Sequence, residues 1–447
     1  MAMSGAPAVA GRSRWAVLAA YVALVSTSHI LWISFASVTD TAAKVFHTSS
    51  LSIGLLVSVG PICSAIFSIP GGAVPDRVGY RTPLLWAGLA TAVFALVRPF
   101  APNFGVLLLL TIAVLVPQPF LINAVADLVN RHFPEQEAAT ATGLGTMAIF
   151  LGITVGVALT PTLVTAVGIR GSQLCYAGLA VATLFAFYVV VPRHVPDRLR
   201  APEELPIKVA LGRVVRSSAL WRLAVILFCG FGFYLGMTTW LSDILKVHNI
   251  GSSASGLIAG FITIGGMVGS VVLGALSDRI QRRKPFLVAA GLVSIPLLWV
   301  LGGLGSVGVL VAVAFVLGFF LLAALPVSIA MVSEERTLGP QVASTAVGVI
   351  LMAGNLGGAI VTALMGVIKN IEGNYTGSIA LAASLAVVAV GVAVTLREPL
   401  ARLSAPAPVL VSPELVGSGF IGPELVTPEP LSSELRSTEQ AIADQAS

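Results

Sequence analysis

Charge is what this sequence has least of. Only 10% of its 447 residues are Asp, Glu, Lys or Arg, where a soluble domain carries roughly 25%. That deficit excludes a water-facing globular surface, because too few charged side chains exist to cover one. Basic side chains outnumber acidic ones by five. They form no stripe interleaved with aromatics, so nucleic acid is not an expected partner. Cysteine is scarce too: Cys63, Cys175 and Cys229 fall inside apolar runs, with no spacing that builds a zinc site or a disulfide framework. No metal and no cofactor are expected. A Gly-rich phosphate loop ending in Lys-Ser/Thr is missing, which argues against an ATP-driven pump. Nothing reads as an enzyme.

What is present is apolar: 56% of the chain is hydrophobic. A membrane-crossing helix needs about 20 such residues. By that measure twelve spans follow, at 15–38, 50–74, 82–98, 104–129, 139–164, 172–192, 220–245, 255–277, 286–304, 307–332, 342–368 and 377–396. The runs are too long for barrel strands, which alternate over about ten residues. Lys44, Arg98, Arg170, Lys246 and Lys369 fall in one set of connections, and the other 20 of the 25 basic residues in the opposite set and the tails. The positive-inside rule then puts both termini in the cytoplasm. Arg12 and Arg14 precede the first span, which serves as its own insertion signal.

A short charged segment occurs twice. Gly72-Ala-Val-Pro-Asp76-Arg77-Val-Gly79-Tyr80-Arg81 follows span 2, and Gly274-Ala-Leu-Ser-Asp278-Arg279-Ile-Gln-Arg282-Arg283-Lys284 follows span 8. The glycines are 274 − 72 = 202 residues apart and both Asp-Arg pairs keep the same offset. Ionised groups beside hydrocarbon are costly, so recurrence at matching points implies a duplicated membrane protein. Gly72 and Gly274 allow a neighbouring helix to approach closely. Asp76 and Asp278 can pair with an arginine or with a helix N-terminus, latching two helices in one conformation and releasing them in another. The alternative reading is ordinary loop charge.

The expected organisation is a cytoplasmic N-terminus (1–13), a six-helix bundle (14–192), a cytoplasmic linker (193–219), a second six-helix bundle (220–398) and a disordered cytoplasmic tail (399–447). The basic linker is expected to lie against anionic lipid headgroups. The tail is rich in Pro, Ser and Glu and keeps no apolar period. The fold class is therefore an all-α membrane protein of twelve transmembrane helices in two pseudo-symmetric bundles. A monomer in the cell membrane is expected, with the lipid bilayer and a small-molecule substrate as partners.

The doubled loop resembles the signature of the major facilitator superfamily over residues 14–398. That resemblance implies two bundles rocking about a central cavity, with the loops as inner-gate elements. Narrower similarities follow in order along the chain: Trp32-Ile-Ser-Phe-Ala-Ser-Val-Thr-Asp40, Pro117-Gln118-Pro-Phe-Leu-Ile-Asn-Ala, His132-Phe-Pro-Glu-Gln-Glu137-Ala-Ala-Thr-Ala-Thr142, Phe233-Tyr234 and Gly265-Gly-Met-Val-Gly-Ser270. These are similar to the family related to the feline leukaemia virus subgroup C receptor, associated with choline, ethanolamine and haem transport. The resemblance places ligand positions at Trp32, Gln118, Tyr234 and Asn355. Asn355 stands where choline-transporting members have glutamine.

The residues support those positions by their own chemistry. Two aromatic faces can enclose a cation, each contact worth up to about 2 kcal/mol when desolvated. Amides buried in hydrocarbon need partners. Interhelical packing and hydrogen bonding are the competing explanations. Helix interiors offer almost no carboxylate for proton coupling. His29 is the one titratable group well inside span 1, a candidate proton relay or a hydrogen-bonded structural residue. Pro61, Pro161, Pro296 and Pro326 mark expected bends. Uniport or facilitated diffusion of a small organic solute is the leading expectation. A proton-coupled exporter and a non-transporting sensor signalling through the tail are the alternatives.

Overall fold

The computed structural model describes residues 11–191, 207–247, 249–301, 306–335, 338 and 342–398. The tail expected over 399–447 and the first part of the linker, through 206, lie outside the described residues. Among the described residues there are helices and no strands. The first half contains α1 (Gly11–Ile33), α2 (Thr39–Val45), α3 (Ser50–Val78), α4 (Arg81–Val97), α5 (Phe104–Leu115), α6 (Gln118–Asn123), α7 (Val125–His132) and α8 (Ala138–Val190). A short α9 (Ile207–Arg216) ends the linker. The second half contains α10 (Ser218–Lys246), α11 (Ser252–Ile280), α12 (Lys284–Leu301), α13 (Val307–Leu321), α14 (Ala324–Glu334), α15 (Ala343–Glu372) and α16 (Thr376–Thr395).

Among the described residues, eleven helical stretches are long and apolar enough to cross a membrane. One of them, the 53-residue α8, folds back at Gly168, whose φ of 73° and ψ of 173° are not helical. It therefore makes two crossings, spans 5 and 6, and the total is twelve. A residue with a Cβ pays for positive φ, and glycine does not.

Four boundaries differ from the sequence reading, each for a local reason. Spans 5 and 6 are joined by that single glycine instead of a loop. Span 1, expected to reach 38, stops at Ile33. The Leu31 carbonyl would accept from the Phe35 amide if the helix continued. Ser34 Oγ at 3.1 Å and Arg98 Nη1 at 3.0 Å take it instead, and such competition ends or bends helices. Span 4 breaks before α6 at Pro117, and span 10 breaks before α14 near Pro326. A proline removes the amide that would bond the carbonyl four residues earlier. For Pro326 that carbonyl belongs to Leu322, which accepts from Leu325 at 3.2 Å in a tighter turn.

Arg98 is a correction to the expected loop charge. It is 0% exposed. Besides the Leu31 carbonyl, its guanidinium donates to Gln173 Oε1 and lies 5.1 Å from the Phe35 ring centroid. Among the described residues it meets no carboxylate. It binds instead the negative end of α1, where cations are stabilised.

The halves meet along two seams, α3 against α15 and α8 against α11.

Candidate functional site

The doubled motif sits on those seams. Asp76, near the end of α3, accepts from Ser344 N at 2.8 Å, Thr345 N at 2.6 Å and Thr345 Oγ1 at 2.6 Å. Asp278, near the end of α11, accepts from Ala139 N at 3.1 Å, Thr140 N at 2.6 Å and Thr140 Oγ1 at 2.5 Å. Both α8 and α15 lack a side-chain cap of their own. A helix leaves its first amides unpaired. Here each half supplies the cap for a helix of the other, with Thr at the same cap position in both. The caps also place a negative charge at the positive end of each helix dipole.

Glycine makes the approach possible. A Cβ at Gly72 would overlap the Ser344 carbonyl oxygen, and one at Gly274 would lie 2.8 Å from that of Ala139. Gly143 and Gly348 face the carbonyls of Ser270 and Ser68 equally closely across the same seams. This end of the molecule, the clasp end, is tightly closed.

The arginines play different parts from the aspartates. Arg77 and Arg279 are exposed, and Asp76 pairs with no arginine among the described residues. Arg81 lies 5.9 Å from the Tyr188 ring centroid. Asp278 instead meets Arg283 at 2.7 Å, and Arg283 also bridges Glu334 at 2.7 Å. Burial alone would lower the Arg283 pKa, but Glu334 and Asp278 hold it above its usual value. In the first half, Asp127 accepts from Tyr80 N at 2.7 Å and pairs with Arg131 at 2.7 Å. Both post-motif turns are thus anchored to the last helix of spans 4 and 10, α7 and α14.

Trp32, Gln118, Tyr234 and Asn355 all border one cavity of about 290 Å³. That is the low end of small-ligand pockets. Among the lining residues none is Asp, Glu, Lys or Arg. The Trp32 indole donates to the Val57 carbonyl at 2.8 Å. That carbonyl is freed by Pro61, four residues on, which has no amide to offer. Gly60 leaves room for the ring, because a Cβ there would overlap the indole. Tyr234 Oη is 3.3 Å from Thr263 Oγ1, and its ring meets Phe150 edge-to-face at 6.5 Å. Gln118 is 2% exposed and its Nε2 meets no hydrogen-bond partner among the described residues. Asn355 Nδ2 donates to the Leu351 carbonyl at 2.9 Å.

His29 borders the same cavity. Its Nδ1 lies 2.9 Å from the Val25 carbonyl, which only accepts, so the proton sits on Nδ1. The ring meets Trp32 edge-to-face at 6.0 Å.

The cavity also holds residues that sequence reading passed over. Phe150 and Phe231 add two aromatic faces; in a chain this apolar, nothing distinguishes them from core. Asn123 is 0% exposed and donates to the Ser68 carbonyl at 2.5 Å, while its Oδ1 meets no partner among the described residues. An amide so deep in span 4, close behind Gln118, was the available signal.

The Major Facilitator Superfamily profile matches residues 16–362 and 242–431. A choline/ethanolamine transporter of Danio rerio, flvcr2b, is 23% identical over 399 residues, covering 84% of this chain and 82% of that protein. An uncharacterized MFS-type transporter of Caenorhabditis elegans is 25% identical over 402 residues, covering 84% and 68%. Among solved structures, the major facilitator transporter FucP, in an outward conformation, superposes with a TM-score of 0.71 at 16% identity. It covers 86% of this chain and 99% of that one.

Proposed function

Because the chain belongs to the Major Facilitator Superfamily, we propose that it moves a small organic cation, choline or ethanolamine in character, by alternating access around the Trp32 cavity. The cavity supports this reading: four aromatic side chains, Trp32, Phe150, Phe231 and Tyr234, and the amides Gln118 and Asn355 converge where no ionised side chain stands. A quaternary ammonium needs π faces more than a counter-ion once desolvated. The amides are suited to a hydroxyl, which both donates and accepts. The Danio rerio relative, by its name, carries such solutes.

In this reading the aspartate clasps are the inner gate and the clasp end faces the cytoplasm, as do both termini, in the cell membrane. The clasped state is the outward-facing one. Solute binding and release of the two trans caps let the halves rock the other way. Without a carboxylate in the cavity, coupling to protons has few groups to use, and facilitated diffusion is favoured.

Purified protein in liposomes takes up labelled choline or ethanolamine under this proposal. The Trp32→Ala/Tyr234→Ala variant, folded and inserted, loses that uptake. Equal uptake by both proteins would overturn the site. His29 at the cavity supports a second reading, a proton-coupled exporter of drug-like or secondary metabolites. A solute-driven pH change that disappears in His29→Gln would favour it over uniport.

A further inference from the structure

A second cavity shares no lining residue with the first. It measures about 820 Å³ and is walled by α9, the start of α10 and the ends of α14 and α16. Glu398, just past α16, accepts from the Arg283 and Lys284 amides, so this cleft opens at the clasp end. Four guanidinium groups line it, from Arg213, Arg216, Arg222 and Arg397, against one acid, Glu335. Arg222 is held in place by a 3.0 Å bond to the Thr395 carbonyl. Arg216 and Arg397 meet no carboxylate among the described residues. So many cations in one cleft call for an anion.

The surroundings say which kind. Helix α9 leaves Val209 and Val215 50% and 47% exposed, Val209 on the same face as Arg213 and Arg216, which sets apolar surface beside cations as at a membrane interface. Trp221, 47% exposed, donates its indole proton to the Val215 carbonyl at 2.7 Å, and tryptophan favours the headgroup level. The buried apolar side chains of Leu223 and Met331 line the cleft together with the arginines. A soluble anion has no use for the flanking apolar surface, whereas an anionic lipid matches both parts. We propose that this cleft holds the phosphate-bearing headgroup of an anionic phospholipid from the leaflet at the clasp end. The lipid would bridge α9 to the second bundle. This site stands independently of the identity of the transported solute.

The full chain in nanodiscs of phosphatidylcholine, with and without an equal amount of phosphatidylglycerol, provides the test. Native mass spectrometry should show retained phosphatidylglycerol on the wild type. A single basic side chain near an anionic surface contributes about fivefold in affinity, so Arg216→Gln/Arg397→Gln should lose roughly 25-fold. Arg397→Gln alone should lose about fivefold, and Arg282→Gln, exposed outside the cleft, should retain the lipid as the wild type does. Unchanged retention in the double variant, or an equal loss in Arg282→Gln, would overturn the site. Glycerol phosphate and inorganic phosphate should give no arginine-dependent thermal stabilisation. Equal stabilisation by either would reassign the cleft to a soluble anion.

Discussion

Removing the charge from Asp76 should loosen one end of the closed seam and leave the rest of the fold in place. In Asp76→Asn the side chain keeps one oxygen but turns an amide NH₂ toward the Ser344 and Thr345 amides, which are themselves donors. Loss of an N-cap costs about 0.5–2 kcal/mol, and loss of the charge at a helix N-terminus about 0.3–1 kcal/mol. We take about 2 kcal/mol per clasp, a factor of about 30 in the closed-to-open equilibrium. Asp278→Asn should act equally on the other seam, at Ala139 and Thr140. The two clasps share no partner, so the double variant should approach a thousandfold, about 4 kcal/mol. Hydrogen exchange reads the donors directly. Peptides covering 342–348 should exchange faster in Asp76→Asn, and those covering 138–143 in Asp278→Asn, while α1 and α10 stay protected. Unchanged exchange at both helix starts would refute the reasoning, as would a uniform rise over every helix.

Three further outcomes follow from the geometry. Gly72→Val should prevent the clasp end from closing, because its first side-chain atom already overlaps the Ser344 carbonyl; thiol labelling of a Ser68→Cys reporter from that side should rise, and unchanged labelling would count against the seam. Gly60→Ala should push the Trp32 indole off the Val57 carbonyl, weakening solute binding about tenfold or more, the loss of one hydrogen bond and one π contact, with a shift in tryptophan emission as the structural readout. Arg98→Leu should remove the charged donor from the Leu31 carbonyl and from Gln173 Oε1, leaving Ser34 Oγ as their remaining donor, at about 1.5–3 kcal/mol for each charged bond lost; the unfolding temperature should fall sharply, with Arg98→Lys recovering part of the loss, and no change would contradict the capping role.

Much of the architecture is written in the sequence at long range. Twelve apolar runs and a motif repeated after 202 residues need no knowledge of side-chain geometry, because length and duplication are one-dimensional signals. The four candidate residues share a cavity although they lie in four separate spans, and the resemblance, more than their spacing, brought them together. What the sequence hid was decided by contacts between distant segments. Nothing local says that Asp76 caps α15 or that Asp278 caps α8, although Ala138-Ala-Thr140 and Ala343-Ser-Thr345 at matching helix starts were a readable hint. Arg98 looked like loop charge because the Leu31 carbonyl it binds becomes available only where α1 ends. The stop at Ile33 depends on that same arginine, so neither could be read without the other. Proline predicted the bend at Pro326, but the break at Pro117 was not anticipated.

Alternating access is tested most directly by two distances across the seams. Spin labels at Val78 and Arg282 report the clasp end, and labels at Val45 and Ile371 the opposite end; all four positions are exposed. In lipid nanodiscs, pulsed dipolar spectroscopy on the Asp76→Asn/Asp278→Asn background should show the first distance lengthening and the second shortening relative to the parent. Two distances that stay fixed, or that change in the same direction, would mean the halves do not rock about the Trp32 cavity.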